Sequence, residues 1–145
     1  MPKKGIKVKK GFTLVEIMIV VAIVIVLVTL AIPNILSSRR VANEGAAIAN
    51  LRTINNSCQL YNIDKETFPD TLEEISPDYL EPDLASGHKQ GYEFDYVLID
   101  QDHFTVNANS TSTGLLKGKY YFMDESGVIR WNTSGPAGAG DEIVK

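Results

Sequence analysis

The sequence predicts an α+β protein. One long N-terminal α-helix, half transmembrane and half amphipathic, packs on a small antiparallel β-sheet head. Three observations carry this reading. Residues 12–32 form an apolar run, FTLVEIMIVVAIVIVLVTLAI, broken only by Thr13, Glu16 and Thr29. Ala47, Leu51, Ile54, Cys58 and Tyr61 then recur at steps of 4, 3, 4 and 3, which is one stripe of a helix. Past residue 91, short alternating apolar and polar segments are separated by Asp- and Gly-containing loops. The chain has 145 residues, room for one small domain, and its 44% hydrophobic content argues against global disorder.

The apolar run comes first. No charge lies between Glu16 and Arg39, a gap of 22 residues, and about 20 apolar residues suffice for a helix to cross a bilayer. Five lysines (Lys3, Lys4, Lys7, Lys9, Lys10) precede it without any acid, whereas Arg39 and Arg40 alone follow closely. The larger positive cluster stays cytoplasmic, so the C-terminal part is expected outside the cytoplasm. A secretory signal peptide shares the basic start. However, this run is too long for one, it contains a carboxylate, and Thr29-Leu30-Ala31 is a poor cleavage site. A plain membrane anchor accounts for length and flanks but leaves Glu16 unexplained.

Glu16 is therefore the informative residue. A charged side chain at mid-bilayer costs roughly 2.5–3.5 kcal/mol on insertion scales; near the cytoplasmic end the cost is lower. Packed among apolar helices, the carboxylate needs a partner, yet no Lys, Arg or His lies within the run. A cut between Gly11 and Phe12 would create an α-amino group four residues before Glu16. That amine can meet Glu16 of its own helix, since i and i+4 share a face, or Glu16 of a neighbour, where the pair would set axial register.

Lys9-Lys10-Gly11-Phe12-Thr13-Leu14-Val15-Glu16 followed by the apolar run resembles the class III signal of type IV pilins and type II secretion pseudopilins. The resemblance implies that a prepilin peptidase cuts after Gly11 and methylates the amine of Phe12, which keeps the nitrogen basic. Pro33 also fits the family pattern. It has no N–H for the Thr29 carbonyl, so it either ends the span or lets the helix bend when subunits pack. The assembly residues implied are Phe12, Glu16 and Pro33.

Beyond Pro33 the Ala47–Tyr61 stripe is too narrow for a second span and is expected to bury one face against the head. A helix from Phe12 to Tyr61 would extend about 75 Å, the lollipop shape known in pilins. Cys58 sits on the stripe and reads as a small buried hydrophobe; as the one cysteine it permits no intrachain disulfide.

In the head, Phe68-Pro69-Asp70 and Ser76-Pro77-Asp78 are turn signals flanking an expected helical turn at 71–75. Leu72, Ile75, Tyr79 and Leu80 would pack this loop on the helix. FPDTLEEISPDYL is similar to the αβ-loop of pseudopilins and short pilins. Strands are expected at 91–99, 103–108, 119–123 and 128–131, in a sheet of three or four strands. Asp100-Gln101-Asp102 and Asp124-Glu125-Ser126-Gly127 make the hairpin loops. The expected organisation is a leader at 1–11, a transmembrane or filament-core helix at 12–36, an amphipathic helix at 37–62, an αβ-loop at 63–91, the sheet at 92–132 and a flexible tail at 133–145.

No catalytic constellation appears, so the chain does not read as an enzyme. His88 and His103 have no Cys or His at metal spacing. Gly138-x-Gly140 lacks the strand–loop–helix setting of a nucleotide site. No Asp-x-Asp ligand run occurs late in the head, after Asp102, so no metal site and no cofactor are expected. Asp124, Glu125, Asp141 and Glu142 read as a solvated acidic surface rather than a calcium site. From Thr53 onward six basic and sixteen acidic residues sum to −10. That opposes phosphate-driven nucleic-acid binding, apart from a local patch at Lys117 and Lys119.

The resemblance implies a structural subunit that waits in the inner membrane and polymerises, after prepilin peptidase cleavage, into a helical homo-oligomeric filament. It would be periplasmic or extracellular, with an assembly platform, ATPase and secretin as partners. The alternative is a minor pilin, a binding or initiation module for DNA, a surface or a secreted substrate.

Overall fold

A computed structural model of the chain describes residues 11–145. The five leader lysines, and with them nearly all of the leader, lie outside the described residues. Helix α1 runs Leu14–Lys65, four residues past the expected end, and passes through Pro33 without interruption. Tertiary contacts divide the chain into a first unit ending at Ile35 and a second, Leu36–Lys145.

Within the first unit every described side chain is exposed. Phe12, Leu14, Ile17, Ile19, Ile23 and Leu27 are each more than half uncovered. An all-round apolar helix that buries none of its surface is built for hydrocarbon or for other helices, because a water-facing helix carries a polar face.

The second unit holds the core. Ala47, Leu51, Ile54 and Cys58 are buried and Tyr61 packs against them, so the 4-3-4-3 stripe is the buried face of α1. The sheet is an antiparallel meander in the order β1 (His88–Lys89), β2 (Tyr92–Leu98), β3 (Phe104–Ser110), β4 (Tyr120–Asp124), β5 (Ile129–Asn132) and β6 (Glu142–Ile143). Strand alternation turns Tyr92, Phe94, Phe104, Val106, Ala108, Tyr121, Met123 and Ile129 inward. The register sets Val106 opposite Met123 and Ala108 opposite Tyr121. Those pairs interlock over the α1 stripe. In the β4–β5 turn Gly127 adopts φ +73°, as the loop sequence requires.

Phe104 is the centre of the core. It is fully buried, stacks on Tyr96 at 5.5 Å and meets the edge of Phe68 at 4.8 Å. Phe104→Ala should therefore lose about 3–5 kcal/mol; a thermal or denaturant melt within 1 kcal/mol of the parent, allowing roughly the usual range for surface changes, would contradict this packing.

Two expectations are corrected. The sheet has six strands rather than three or four, because β1 and β6 are two-residue edge strands too short to leave a period. Residues 71–75 form turns rather than a helical turn; Glu74 is engaged by the Asp70 N–H at 2.9 Å and the Tyr61 hydroxyl at 2.7 Å. The loop still seals the core through Phe68, Leu72, Ile75 and Leu80, and a short helix α2, Pro82–Ala85, adds Leu84. The segment 133–145 makes hydrogen bonds within itself and to β5. The Asp141 carboxylate accepts from the Gly138 N–H at 2.8 Å and from Asn132 Nδ2 at 3.1 Å. The Val144 N–H then bonds the Ile129 carbonyl at 2.8 Å.

Candidate functional site

The candidate site is the start of α1. Gly11 is exposed, and a Cβ built on it meets nothing within 4 Å. Phe12 is 86% exposed. Thr13 then stops the backbone donors of the first turn from going unpaired. Its hydroxyl accepts from the Glu16 N–H at 3.2 Å, and Glu16 Oε2 reaches back to the Thr13 N–H at 2.7 Å and the Thr13 hydroxyl at 2.8 Å. This is a reciprocal capping box, with Thr13 at the N-cap and Glu16 at the third helical position. The signal, Thr-x-x-Glu before an apolar run, is legible in the sequence beside the charge of Glu16.

Phe12 and Glu16 lie four residues apart at one helix end, while Pro33 lies 17 residues further along α1. No cation approaches Glu16 among the described residues. The Thr13 donors satisfy the carboxylate's hydrogen bonding and leave its charge uncompensated. Around it the helix is apolar on all faces and has an 18-residue window apolar enough to cross a membrane.

Cys58 is fully buried, and burial pushes its thiol up to about 12, so it stays protonated and unreactive. No three His, Cys, Asp or Glu side chains gather at metal-binding distance among the described residues. His88 Nε2 lies 3.5 Å from Glu93. His103 Nδ1 lies 2.7 Å from Asp100 Oδ1 and its Nε2 4.0 Å from Glu125. The hydrogen bond to Asp100, then its charge, raises the imidazole above the ordinary histidine value. The stability this pair gives is full below the unfolded-chain value and fades as pH rises through the raised one. An NMR titration of His103 should show a midpoint above about 6.5, and Asp100→Asn should lower it; an unmoved midpoint would remove Asp100 as the cause.

Comparison with known proteins agrees with this geometry. Residues 6–32 match the family described as the prokaryotic N-terminal methylation motif. The type II secretion system core protein G of Escherichia coli K12 is 33% identical over 105 residues, spanning 63% of this chain and 72% of that protein. The protein of the same description from Vibrio cholerae is 28% identical over 61% of this chain and 63% of its own length. The type IV wide pilus major component PilA4 of Thermus thermophilus is 39% identical over 59 residues, 41% of this chain and 45% of its own. A glycine–phenylalanine junction, a carboxylate four residues on, an unburied apolar helix and a relative aligned well into the head lead to one conclusion: the chain belongs to the type IV pilin and type II secretion pseudopilin family.

Proposed function

We propose that this chain is a filament subunit whose α1 start is processed and then polymerised. The carrying observation is an apolar helix that buries nothing of itself and bears one carboxylate four residues after Phe12. A prepilin peptidase removes residues 1–11 and methylates the Phe12 amine. The precursor is held in the inner membrane by residues 12–36 with Lys3–Lys10 in the cytoplasm. Its Phe12–Ile32 helices then pack into a helical core, driven by dispersion and helix packing, since the segment starts in lipid and gains no transfer from water. Glu16 pairs with the Phe12 amine of a neighbour, and Pro33 lets the helix bend as subunits fit. A platform protein, an ATPase and a secretin serve the assembly. Intact-mass and N-terminal fragment spectra of the mature chain should give Phe12 as first residue with one added methyl; a start at Met1 or Ile32 ends this reading.

A further inference from the structure

From Thr53 onward the chain carries six basic and sixteen acidic residues, yet one end of the head gathers cations. There the fold gathers Arg40 of α1 with Lys117 and Lys119, which enter β4 from the 3-10 turn Gly114–Leu116. They line an open hollow of about 500 Å³ with Val41, Glu44 and Gly118. A second hollow of about 370 Å³ shares Val41, Glu44 and Lys119 and adds Trp131 and Val144. The two form one continuous surface.

Its cations are poorly neutralised. Lys117 and Lys119 are in no ion pair among the described residues. Arg40 Nε is 3.9 Å from Glu44, too far for a hydrogen bond, and is buried without a hydrogen-bond partner. In the first hollow three cations against Glu44 leave an excess of two positive charges, while the chain from Thr53 onward sums to −10. The Lys119 ammonium lies 4.1 Å from the centre of the Trp131 ring, and that of Lys117 5.4 Å from Tyr120. Val41 and Leu115 add exposed apolar tips, 60% and 65% uncovered. Tryptophan and tyrosine beside lysine and arginine, with apolar tips between, is the composition that settles at a membrane–water interface.

Sequence position keeps Arg40 close to the apolar run: it is eight residues after Ile32, at most about 28 Å of chain, within reach of the headgroup layer that flanks the hydrocarbon core. We infer that this end of the head docks on the membrane surface through the phosphates of anionic phospholipids, with Arg40, Lys117 and Lys119 as the phosphate contacts and Trp131 at the interface. The inference rests on the reading that residues 12–36 span the membrane. Each basic side chain close to an anionic surface raises adsorption roughly fivefold, against the net charge of −10 carried from Thr53 onward. Docking would hold the head against the bilayer before assembly and release it as the subunit leaves lipid.

Trp131 is the sole tryptophan and reports the contact directly. The uncut full chain is reconstituted in phosphatidylcholine vesicles and in vesicles one third phosphatidylglycerol. The expected result in the anionic vesicles is blue-shifted emission and at least a twofold fall in acrylamide quenching. High salt, or Lys117→Glu at an exposed position, should abolish both. Equal quenching in the two vesicle types overturns the inference. Protection in phosphatidylcholine that follows added inorganic phosphate means a free-anion site and overturns it, as does protection that follows protein density, which means a second copy. Flotation separates the two layers of argument: a chain that floats with unprotected Trp131 sinks only the docking, whereas one that fails to float sinks the membrane span.

Discussion

Gly11→Leu should leave full-length precursor in the membrane and reduce filaments to none. The fold gives leucine every freedom here. Gly11 precedes the helix, is exposed, has no neighbour within 4 Å of an added Cβ, and shows no left-handed φ. Any loss therefore arises in processing rather than folding. The head melt should match that of the parent, because the core residues begin at Ala47. Without the cut no α-amino group exists at Phe12, and the Glu16 carboxylate faces assembly with only its Thr13 hydrogen bonds. An immunoblot that shows the precursor mass, alongside electron micrographs without filaments, is the expected pair of observations. Cleaved chain and normal filaments would show that the junction lies elsewhere.

Much of this architecture is legible in the sequence, for reasons of period. The Ala47–Tyr61 stripe repeats over four helical turns, long enough for spacing alone to identify the buried face. Strands β2 to β5 alternate over four to seven residues between loops that carry Asp or Gly, so each expected strand overlaps an observed one. What escaped has no period. Strands β1 and β6 hold two residues each and owe their place to hydrogen bonds across the chain, such as Val144 N–H to Ile129. One carboxylate, Asp141, accepts from the Gly138 N–H in the turn that precedes β6, a contact with no periodic signal. Lys117 and Lys119 stand out in sequence as a local basic patch, but their meeting with Arg40 across 77 positions is a tertiary fact. At the helix start the charge of Glu16 drew attention to an absent counter-ion, and its hydrogen-bonding geometry with Thr13 emerged only in three dimensions.

That geometry sharpens the test of Glu16, because the residue now has two roles to separate. Glu16→Leu removes the charge and the carboxylate half of the capping box, and leaves the Thr13 hydroxyl its bond from the backbone N–H of residue 16. The variant should insert and be cleaved, since leucine keeps the span apolar and leaves the Gly11–Phe12 junction unchanged, and then assemble poorly or not at all. Losing one partner of a buried ion pair costs about 3–5 kcal/mol, on the order of a hundredfold to several thousandfold in the equilibrium for adding a subunit. Loss of an N-cap costs only about 1 kcal/mol. Glu16→Gln divides the two, because glutamine serves the third position of a capping box as well as glutamate does but carries no charge. If the carboxylate neutralises the Phe12 amine of a neighbour, Glu16→Gln should fail as Glu16→Leu fails. Thr13→Ala, which weakens the cap and keeps the charge, should assemble at close to the parental yield. Sedimentation of sheared filaments measures all three. Parental yield from Glu16→Gln would assign Glu16 to the helix cap and end its role as counter-ion.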